Sequence, residues 1–379
     1  MIKISSLRFQ PYSLPFARPF RTARETLRRR EGFLVWVSDG EGAWGVGEAA
    51  PLAGYGMEPL HETGKALQSW AGSLPGRAAA LSLPLAEDTP PAFGLAEDFP
   101  GCPAARHGLE LALLDLAARR AGLPLAKALH PGAAETLSVN AVLGGASPEE
   151  TVAEAAARAA EGYGTLKIKL GMHGPQADQA LLSAIRAAVG APVRLRLDAN
   201  EGWTEREALP LLERLAPIGI EYVEQPLPAG DLPGMARLAR KSPIPLAADE
   251  AVLSLSGAQA ILDAQAAQLL ILKPMALGGL LSTLAVARLA ASRGVRVVVT
   301  TTLDGACARM GAACATAALP GIPGASAPDI AHGLATGHLL AQDLLPDPPR
   351  PLGGLLTLPK AAGLGISLAP PSGSAPPLA

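Results

Sequence analysis

The sequence of 379 residues contains few cysteines and no long apolar run, and both absences exclude classes of protein. The three cysteines, Cys102, Cys307 and Cys314, form no Cys-x-x-Cys pair, so they indicate neither a zinc knuckle nor a disulfide framework. No stretch reaches the ~18 consecutive apolar residues of a membrane span, and the N-terminus lacks the apolar core of a signal peptide. We therefore expect a protein of the reducing cytoplasm.

The chain also has little surplus charge of either sign. Its 32 Lys and Arg residues and 34 Asp and Glu residues give a formal net charge of −2, which argues against a general nucleic-acid binder. The basic cluster Arg28–Arg30 is too short to change this and is interpreted as a solvated surface. Hydrophobic residues make up 49% of the chain, enough for one large or two smaller domains.

The segment 1–130 has the pattern of an α+β domain. Its first part, 1–60, contains apolar and aromatic runs separated by Asp-Gly and Gly-rich turns, which is typical of β-strands. Its second part, 61–130, changes to a helical period, with Leu109, Leu113 and Leu116 at helical spacing.

In the following part of the chain, short apolar strands alternate with helices. Ser147 with Glu150, and Thr204 with Glu207, are capping boxes that predict helix starts. The predicted strands are residues 137–143, 165–170, 193–198, 220–224, 245–249, 267–273, 295–300 and 326–333. This alternation predicts a parallel sheet, and repeated βα units of this kind close into a (β/α)8 barrel. An open doubly wound sheet is the competing architecture, but no predicted strand is followed by Gly-x-Gly-x-x-Gly.

Ionisable side chains end the successive strands. They are Lys169 (preceded on the same strand by Lys167), Asp198, Glu224, Asp249 and Lys273, at nearly constant spacing along the chain. Because barrel strands present their carboxyl ends at one face, these groups should meet at one mouth. Lys167 and Lys169 should point to the same side, since side chains alternate along a strand.

Three neighbouring carboxylates repel one another, and a hard divalent cation resolves that repulsion. Carboxylate oxygens suit Mg²⁺, with Mn²⁺ as a second candidate. A nearby cation lowers the pKa of a lysine, so that a neutral lysine can take a carbon-bound proton while the metal stabilises the enediolate. Each residue alone is more typical of a helix cap or a surface group. The order Lys, Asp, Glu, Asp, Lys favours a catalytic site over an inactive barrel scaffold, which would not need such costly buried charges.

The segments KIK, LDANEGW, VEQPL, ADE and LKP resemble those of the enolase superfamily, in its muconate-lactonising subgroup. The resemblance covers nearly the whole chain. It implies a modified (β/α)7β TIM-type barrel at residues 131–344 and an α+β capping domain at residues 1–130. Residues 345–370 would rejoin the capping domain, and residues 371–379 would form a disordered tail. It also implies a homo-oligomer that binds a small-molecule carboxylate, and neither nucleic acid nor membrane.

The resemblance further implies a role for each charged residue. The metal ligands would be Asp198, Glu224 and Asp249. Lys169 would abstract the proton, and Lys273 would lie on the opposite face of the substrate. The supporting residues would be Lys167, Asn200 and Glu250.

Substrate contacts would come from the capping domain and from the seventh strand. They would be Phe20, Arg21, Thr22, Tyr55 (in the loop 53–57), Thr300, Thr301 and Thr302. The three threonines stand where serines are common in the family, and Asp304 adds a negative charge beside them. His332 and His338 have no evident acidic partner in the sequence, so a structural or pocket-wall role is expected for both.

The subgroup contains several reactions that share the lysine pair: o-succinylbenzoate synthase, N-acylamino acid racemase, dipeptide epimerase and muconate cycloisomerase. The segments RPFRTARETLRRREGFLVWV, VVVTTTLDGACARMG and HGLATG resemble the synthases. The Asp-x-Asp pair with which dipeptide epimerases bind a free amine is absent, which counts against that activity. The expected reaction is Mg²⁺-dependent dehydration of 2-succinyl-6-hydroxy-2,4-cyclohexadiene-1-carboxylate in menaquinone biosynthesis. The alternative is N-acylamino acid racemisation, alone or in addition.

Overall fold

The N-terminal part of the chain forms a three-stranded antiparallel sheet packed on a long helix. The computed structural model describes residues 2–21, 26–79, 83–84, 89, 91–95, 101–145, 147–170, 174–326 and 329–371. The elements of this part are β1 (Ile2–Lys3), β2 (Ser6–Arg21), β3 (Thr26–Ser38), β4 (Trp44–Ala49), α1 (Leu60–Ser73), β5 (Ala78–Ala79), α2 (Pro103–Arg120) and α3 (Leu125–Leu129).

Helix α2 is almost wholly buried, because the sheet covers one side of it and barrel helices cover the other. It begins with Pro103, whose missing N–H is not needed in the first turn. The sheet lies very close to it: a Cβ at Gly47 would collide with the carbonyl oxygen of Gly108. Glycine is therefore required where β4 crosses the helix.

The rest of the chain forms a curled parallel sheet with helices outside it. Its further elements are β6 (Thr136–Ser138), β7 (Ala141–Leu143), α4 (Pro148–Ala160), β8 (Thr165–Lys169), α5 (Pro175–Val189), β9 (Arg194–Asp198), α6 (Glu205–Leu215), β10 (Ile220–Glu224), α7 (Leu232–Lys241), β11 (Leu246–Ala248), α8 (Leu255–Asp263), β12 (Leu269–Leu272), α9 (Pro274–Leu277), α10 (Leu280–Ser292), β13 (Arg296–Val299), α11 (Ala306–Ala318) and β14 (Leu355–Thr357). The sheet runs from β7 to β13 in chain order, which confirms the predicted barrel architecture.

The two edges of this sheet are joined by residues 331–333. His332 pairs with Val139 on one side, and Gly333 pairs with Thr300 on the other. The last predicted strand, 326–333, is thus reduced to two isolated bridges among its described residues. This short pairing closes the barrel.

The predicted strand 137–143 is in fact two strands. Its first part, β6, pairs antiparallel with β14, while its second part, β7, pairs parallel with β8. The change of partner occurs at Val139 and Asn140, whose N–H groups donate to Gly354 and His332. The apolar pattern is continuous across both strands, so it could not show the change of partner.

Both predicted helix starts are present. The Ser147 hydroxyl accepts from the N–H of Glu150, 3.2 Å away, at the start of α4. At the start of α6, the Glu207 carboxylate accepts from the N–H of Thr204 at 3.0 Å. These bonds satisfy donors that the first turn of a helix leaves free.

The C-terminal segment lies against the N-terminal sheet and helix. The indole nitrogen of Trp36 donates to the Leu368 oxygen at 2.7 Å, and the carboxylate of Asp115 accepts from the N–H of Leu364 at 2.7 Å. The domain boundaries at residues 130 and 344 stay predictions, and residues 372–379 of the predicted tail lie outside the described residues.

The interpretation of Arg28–Arg30 as a solvated surface is wrong for Arg30, which is 3% exposed, although Arg28 and Arg29 are exposed. The reason is that the Arg30 guanidinium finds carbonyl acceptors both in the N-terminal domain, at Ala50 and Pro51, and in the barrel, at Thr302.

No helix in the described part of the chain is long and apolar enough to cross a membrane.

Candidate active site

Three buried carboxylates meet at the carboxyl end of the barrel strands. Asp198 and Glu224 are the last residues of β9 and β10 and are direct neighbours in the sheet register. Asp249 follows β11 immediately. Each offers an oxygen, and these three oxygens all lie within 4.8 Å of one another. The parallel strands thus bring together groups that are widely separated in the sequence.

Two lysines balance part of this negative charge. The Nζ of Lys167 lies 2.9 Å from Asp198 and also contacts Glu224. The Nζ of Lys273 lies 2.7 Å from Asp249. Two ammonium groups thus contact three carboxylates, with Lys167 shared between Asp198 and Glu224.

The pKa values in the cluster move apart. Burial raises the pKa of Glu224 to about 7, and the charges of Asp198 and Asp249 add to this, while Lys167 opposes it. Burial also acts on Asp198, but Lys167 and Lys169 outweigh it and lower the pKa of Asp198. Burial and the charge of Asp249 raise the pKa of Glu250 to about 8. Burial and neighbouring negative charges thus favour the protonated forms of Glu224 and Glu250.

These residues fit a divalent cation. The donor set consists of hard carboxylate oxygens, and burial together with the neighbouring carboxylates raises the pKa of Glu224, which a bound cation would oppose. A further carboxylate, Glu250, has an oxygen that is buried and without a hydrogen-bond partner, while its other oxygen accepts from Asn200 at 3.2 Å. A cation at this end of the barrel would relieve both features.

Lys169 lies on β8, one side of the carboxylates, and Lys273 follows β12 on the other. Burial lowers the pKa of Lys169, the positive charges of Lys167 and Lys273 act in the same direction, and Asp198 opposes them. The Nζ of Lys169 lies 4.6 Å from the ring centroid of Phe20, which the N-terminal domain contributes. Strands β9, β10 and β11 lie between the two lysines, so a substrate at the mouth would meet an amine on either side.

Tyr55 joins Lys273 to the carboxylates. Its ring centroid is 3.8 Å from the Nζ of Lys273, and its hydroxyl donates to Asp249 Oδ1 at 2.8 Å and to the Asp249 carbonyl at 2.9 Å. Burial and the charge of Asp249 raise the pKa of Tyr55 far above its usual range, so the hydroxyl keeps its proton and remains a donor. The predicted residues Phe20 and Tyr55 therefore both contact a lysine at the mouth.

Gln225 was not predicted, although it follows Glu224 directly. Its side-chain oxygen accepts from the N–H of Asp249 at 3.0 Å, and its nitrogen donates to the Leu227 carbonyl at 2.9 Å. Its φ of +33° shows a strained turn right after the strand. Such strain is common beside functional sites, but a single amide residue gives no sequence signal for it.

In the predicted threonine segment, Thr301 and Thr302 are buried, Thr300 is partly buried, and all three hydroxyls are hydrogen-bonded. Thr300 donates to the Gly333 carbonyl at 2.9 Å, and the hydroxyls of Thr301 and Thr336 are 2.9 Å apart. Thr302 donates to Asp304, whose carboxylate lies 3.7 Å from Arg30. The negative charge of Asp304 is therefore balanced within the protein.

The two histidines near the end of the barrel contact the backbone. Burial lowers the pKa of His332 to about 3, and its Nδ1 accepts from the N–H of Val299 at 3.0 Å, so it is a neutral structural group. The Nδ1 of His338 lies 2.9 Å from the Ala335 carbonyl oxygen.

Two predicted substrate contacts cannot be placed at the mouth. Arg21 ends β2. Its side chain, like the whole of Thr22, lies outside the described residues. Both therefore stay predictions.

Comparison with known proteins agrees with this geometry. Residues 150–372 match the family model described as enolase C-terminal domain-like, and residues 5–115 match the MenC N-terminal domain. The L-Ala-D/L-Glu epimerase of Bacillus subtilis is 32% identical over 79% of this chain and 80% of its own.

Two solved structures are similar over nearly the whole chain. The muconate lactonizing enzyme of Pseudomonas fluorescens, complexed with muconolactone, has a TM-score of 0.87 and 28% identity, covering 97% of both chains. The dipeptide epimerase of Enterococcus faecalis, complexed with Mg and the dipeptide L-Leu-L-Tyr, has a TM-score of 0.86 and 26% identity, covering 97% of this chain and 100% of its own. With its barrel, its cap and its three strand-end carboxylates, this chain belongs to the enolase superfamily.

Proposed function

We propose that this protein is an o-succinylbenzoate synthase, which dehydrates 2-succinyl-6-hydroxy-2,4-cyclohexadiene-1-carboxylate in menaquinone biosynthesis. The observation that carries the proposal is the match of residues 5–115 to the MenC N-terminal domain. That region supplies Phe20 and Tyr55 to the mouth of the barrel. The part of the chain that would meet the substrate is thus the part that matches this family.

Asp198, Glu224 and Asp249 would hold a divalent cation, with Mg²⁺ preferred. Three buried carboxylates whose oxygens lie close together, with a raised pKa at Glu224, support this assignment. When bound, the cation supplies charge that stabilises the enediolate formed as the substrate loses its proton. Lys167, Asn200 and Glu250 would position the ligands through their contacts with Asp198 and with one another.

Lys169 would remove the proton next to the substrate carboxylate. Its lowered pKa favours the neutral amine, which has a lone pair on Nζ. The C–H bond breaks and its proton moves to Nζ. The same proton then passes to the departing hydroxyl group, which leaves as water. One lysine thus serves in turn as base and acid, as a dehydration on one face of the ring requires.

Lys273 would stay protonated and stabilise negative charge on the other face of the substrate. The threonine segment would receive the second carboxylate of the substrate. In the Thr301–Thr336 pair, only one hydroxyl hydrogen lies between the two oxygens. The other hydroxyl hydrogen is therefore free to donate to a carboxylate.

Dipeptide epimerisation is the second candidate, because the relative from Bacillus subtilis carries that name. A lysine on either side of the substrate would suit proton removal on one face and return on the other. Against it, two acidic residues near the end of the barrel are already paired. Asp329 is bonded to Arg194, and Asp343 is bonded to Arg309 and to the N–H of Ala306. Neither is placed to receive a free amine.

N-acylamino acid racemisation is the closest alternative, and a Lys273→Arg variant separates it from dehydration. Racemisation needs Lys273 to exchange protons, whereas dehydration needs only its positive charge. We expect the variant to keep most of the dehydration rate and to lose any racemisation. A variant that racemises but does not dehydrate would contradict the synthase proposal.

A direct substrate screen tests the proposal on the wild-type protein. The cyclohexadiene carboxylate, N-succinyl amino acids and L-Ala-L-Glu are compared in Mg²⁺ and in EDTA. We expect Mg²⁺-dependent dehydration to be the fastest reaction. Faster epimerisation of the dipeptide would move the assignment to that activity. Light scattering on the same sample would measure the expected homo-oligomer.

A further inference from the structure

Arg30 is a buried guanidinium at the junction of the N-terminal domain and the barrel, and its side chain is 3% exposed. It lies on β3, in register with Leu14 of β2. These two strands form the hairpin that carries Phe20 to Lys169. The position of Arg30 along β3 is therefore tied to one wall of the active site.

The guanidinium also binds the chain that leads into the Tyr55 loop. Nη1 donates to the carbonyl of Pro51 at 2.7 Å, and Nη2 donates to the carbonyl of Ala50. Tyr55 follows shortly afterwards and contacts Lys273 and Asp249. Arg30 thus holds the base of the second cap segment that reaches the mouth.

The third side of the guanidinium faces the barrel. Nε donates to the carbonyl of Thr302 at 3.2 Å, and Nη2 lies 3.7 Å from the carboxylate of Asp304. Asp304 in turn accepts from the N–H of Thr302 at 3.2 Å and from its hydroxyl. The end of the threonine segment is therefore fixed to the cap through one side chain.

The chemistry of arginine explains why one residue can do this. Its planar group offers five donors in fixed directions, whereas lysine offers a point charge on a flexible stem. Burying a charge costs free energy that a well-packed apolar residue would not cost. Fold stability alone therefore gives no reason for a guanidinium here, but the alignment of two carbonyl-bearing segments, residues 50–51 and Thr302, does.

We propose that Arg30 is a positioning residue for substrate specificity. It fixes the Tyr55 loop and the threonine segment relative to each other. It thereby sets the distance between the reacting carbon of the substrate and the threonine segment, which would bind the far end of the substrate. This rests on the proposed function in one respect, namely that the substrate lies between these two segments. Arg30 itself contacts the backbone of these two segments and touches no reacting atom.

The test compares two substrates that differ only far from the reacting carbon. One carries the remote carboxylate, and the other carries a primary amide in its place. The ratio of their kcat/KM values is measured for wild type, Arg30→Lys and Arg30→Met, with Arg29→Lys and Arg29→Met as matched controls. Arg29 is the exposed neighbour on the same strand and donates to Ser13.

We expect both Arg30 variants to lower this ratio by about 10- to 100-fold, since a small misplacement of a bound substrate has effects of that size. The Arg29 variants should keep the wild-type ratio. Mg²⁺ affinity, measured by calorimetry, should change by less than the substrate ratio in all four variants, because Arg30 reaches the carboxylate cluster only indirectly, through the bond of Tyr55 with Asp249. A loss that is equal for both substrates, or a ratio that does not change, would overturn the proposal and leave a structural role.

Two further measurements keep the test decisive. If Arg30→Met does not fold, Arg30→Lys and Asp304→Asn replace it, since both keep a polar group in the junction. The rates are followed as exchange of the substrate α-proton with deuterium from the solvent, which any superfamily reaction at this site would give. A wild-type protein that exchanges N-acylamino acids but does not dehydrate would refute the synthase proposal, while the Arg30 comparison could still be completed.

Discussion

Two buried carboxylates, Glu224 at the barrel mouth and Glu48 between the domains, both have a raised pKa of about 7 but have different partners. Glu224 contacts the flexible ammonium group of Lys167 and lies among other carboxylates. Glu48 accepts from the backbone N–H groups of Gly305 at 2.7 Å and Ala308 at 2.8 Å. The hydroxyl of Tyr12 also donates to it, at 2.6 Å.

The difference separates chemistry from architecture. At the mouth, side-chain cations can move aside, so the carboxylates can accept a metal and a substrate. Between the domains, the donors are fixed, and Glu48 occupies the amino end of α11 where a negative charge is favoured. Buried charge therefore marks a catalytic site only where its partners are replaceable.

The largest effect is expected from Glu224→Gln. Removing one ligand should abolish calorimetric Mg²⁺ binding and lower kcat/KM by more than about 10⁴-fold, since a bound cation lowers the activation barrier by several kcal/mol. The exposed Glu213→Gln serves as control. Retained Mg²⁺ affinity in Glu224→Gln would show that the carboxylate of Glu224, like that of Glu48, is not a metal ligand.

Lys169→Met should cost less than loss of the cation. A general base contributes about 10²- to 10⁴-fold, so the rate of α-proton exchange should fall by that factor while Mg²⁺ binding persists. Loss of Mg²⁺ binding together with the rate would mean that Lys169 supports the ligands instead of acting on substrate.

In the wild type, Lys169 must be neutral to accept a proton. Because its pKa is lowered, kcat/KM should rise with pH and level off below the ordinary lysine range. The measurement is a pH profile of proton exchange at saturating Mg²⁺. A profile in which the rise of kcat/KM with pH has its midpoint in the ordinary lysine range would contradict the lowered pKa of Lys169.

Glu48 should affect stability and not chemistry. Burial and the charge of Asp304 raise its pKa to about 7 in the folded protein, so its contribution to stability is present below the unfolded-state pKa and is lost as pH rises through 7. Relative to wild type, Glu48→Gln should therefore gain up to about 3 kcal/mol in unfolding free energy from pH 4.5 to pH 7.5, at about 1.4 kcal/mol per pKa unit. Urea titrations at both pH values measure this. A pH-independent difference would mean that the pKa of Glu48 is not raised on folding.

Ser147→Ala should have the smallest effect. It removes the hydroxyl that accepts from the N–H of Glu150 at the start of α4, and should lower the free energy of unfolding by about 1 kcal/mol with kcat/KM unchanged. Thermal unfolding and the same exchange assay check this. A change in kcat/KM would show that helix ends on the barrel surface influence the site.

The strand-end residues could be predicted because each βα unit has nearly the same length and each strand ends in a charge. Asp198 and Glu224 are neighbours in space for the same reason that they are evenly spaced in sequence. The contacts of Tyr55 with Asp249 and of Arg30 with Thr302 could not be predicted, because they join distant parts of the chain. No local sequence pattern indicates which loop of one domain packs against which loop of the other.

Arg30 shows the same limit at the level of one residue. Strand alternation places Arg29 and Arg30 on opposite faces, but the sequence does not say which face meets the barrel. The split of residues 137–143 into β6 and β7 is similar, since the partner strand β14 lies near the C-terminal end of the chain.

The contacts of Leu364 and Leu368 with Asp115 and Trp36 have a consequence for biosynthesis. The N-terminal domain is made first by the ribosome, yet Trp36 and Asp115 each have one hydrogen-bond partner near residue 364 or beyond. Asp115 already has Val46 and Arg119 as partners within the N-terminal domain, but its bond with the N–H of Leu364 must wait until that residue has emerged. Translation that stops before residue 364 would leave the first domain unfinished, so quality control of this protein can act on its beginning and its end together.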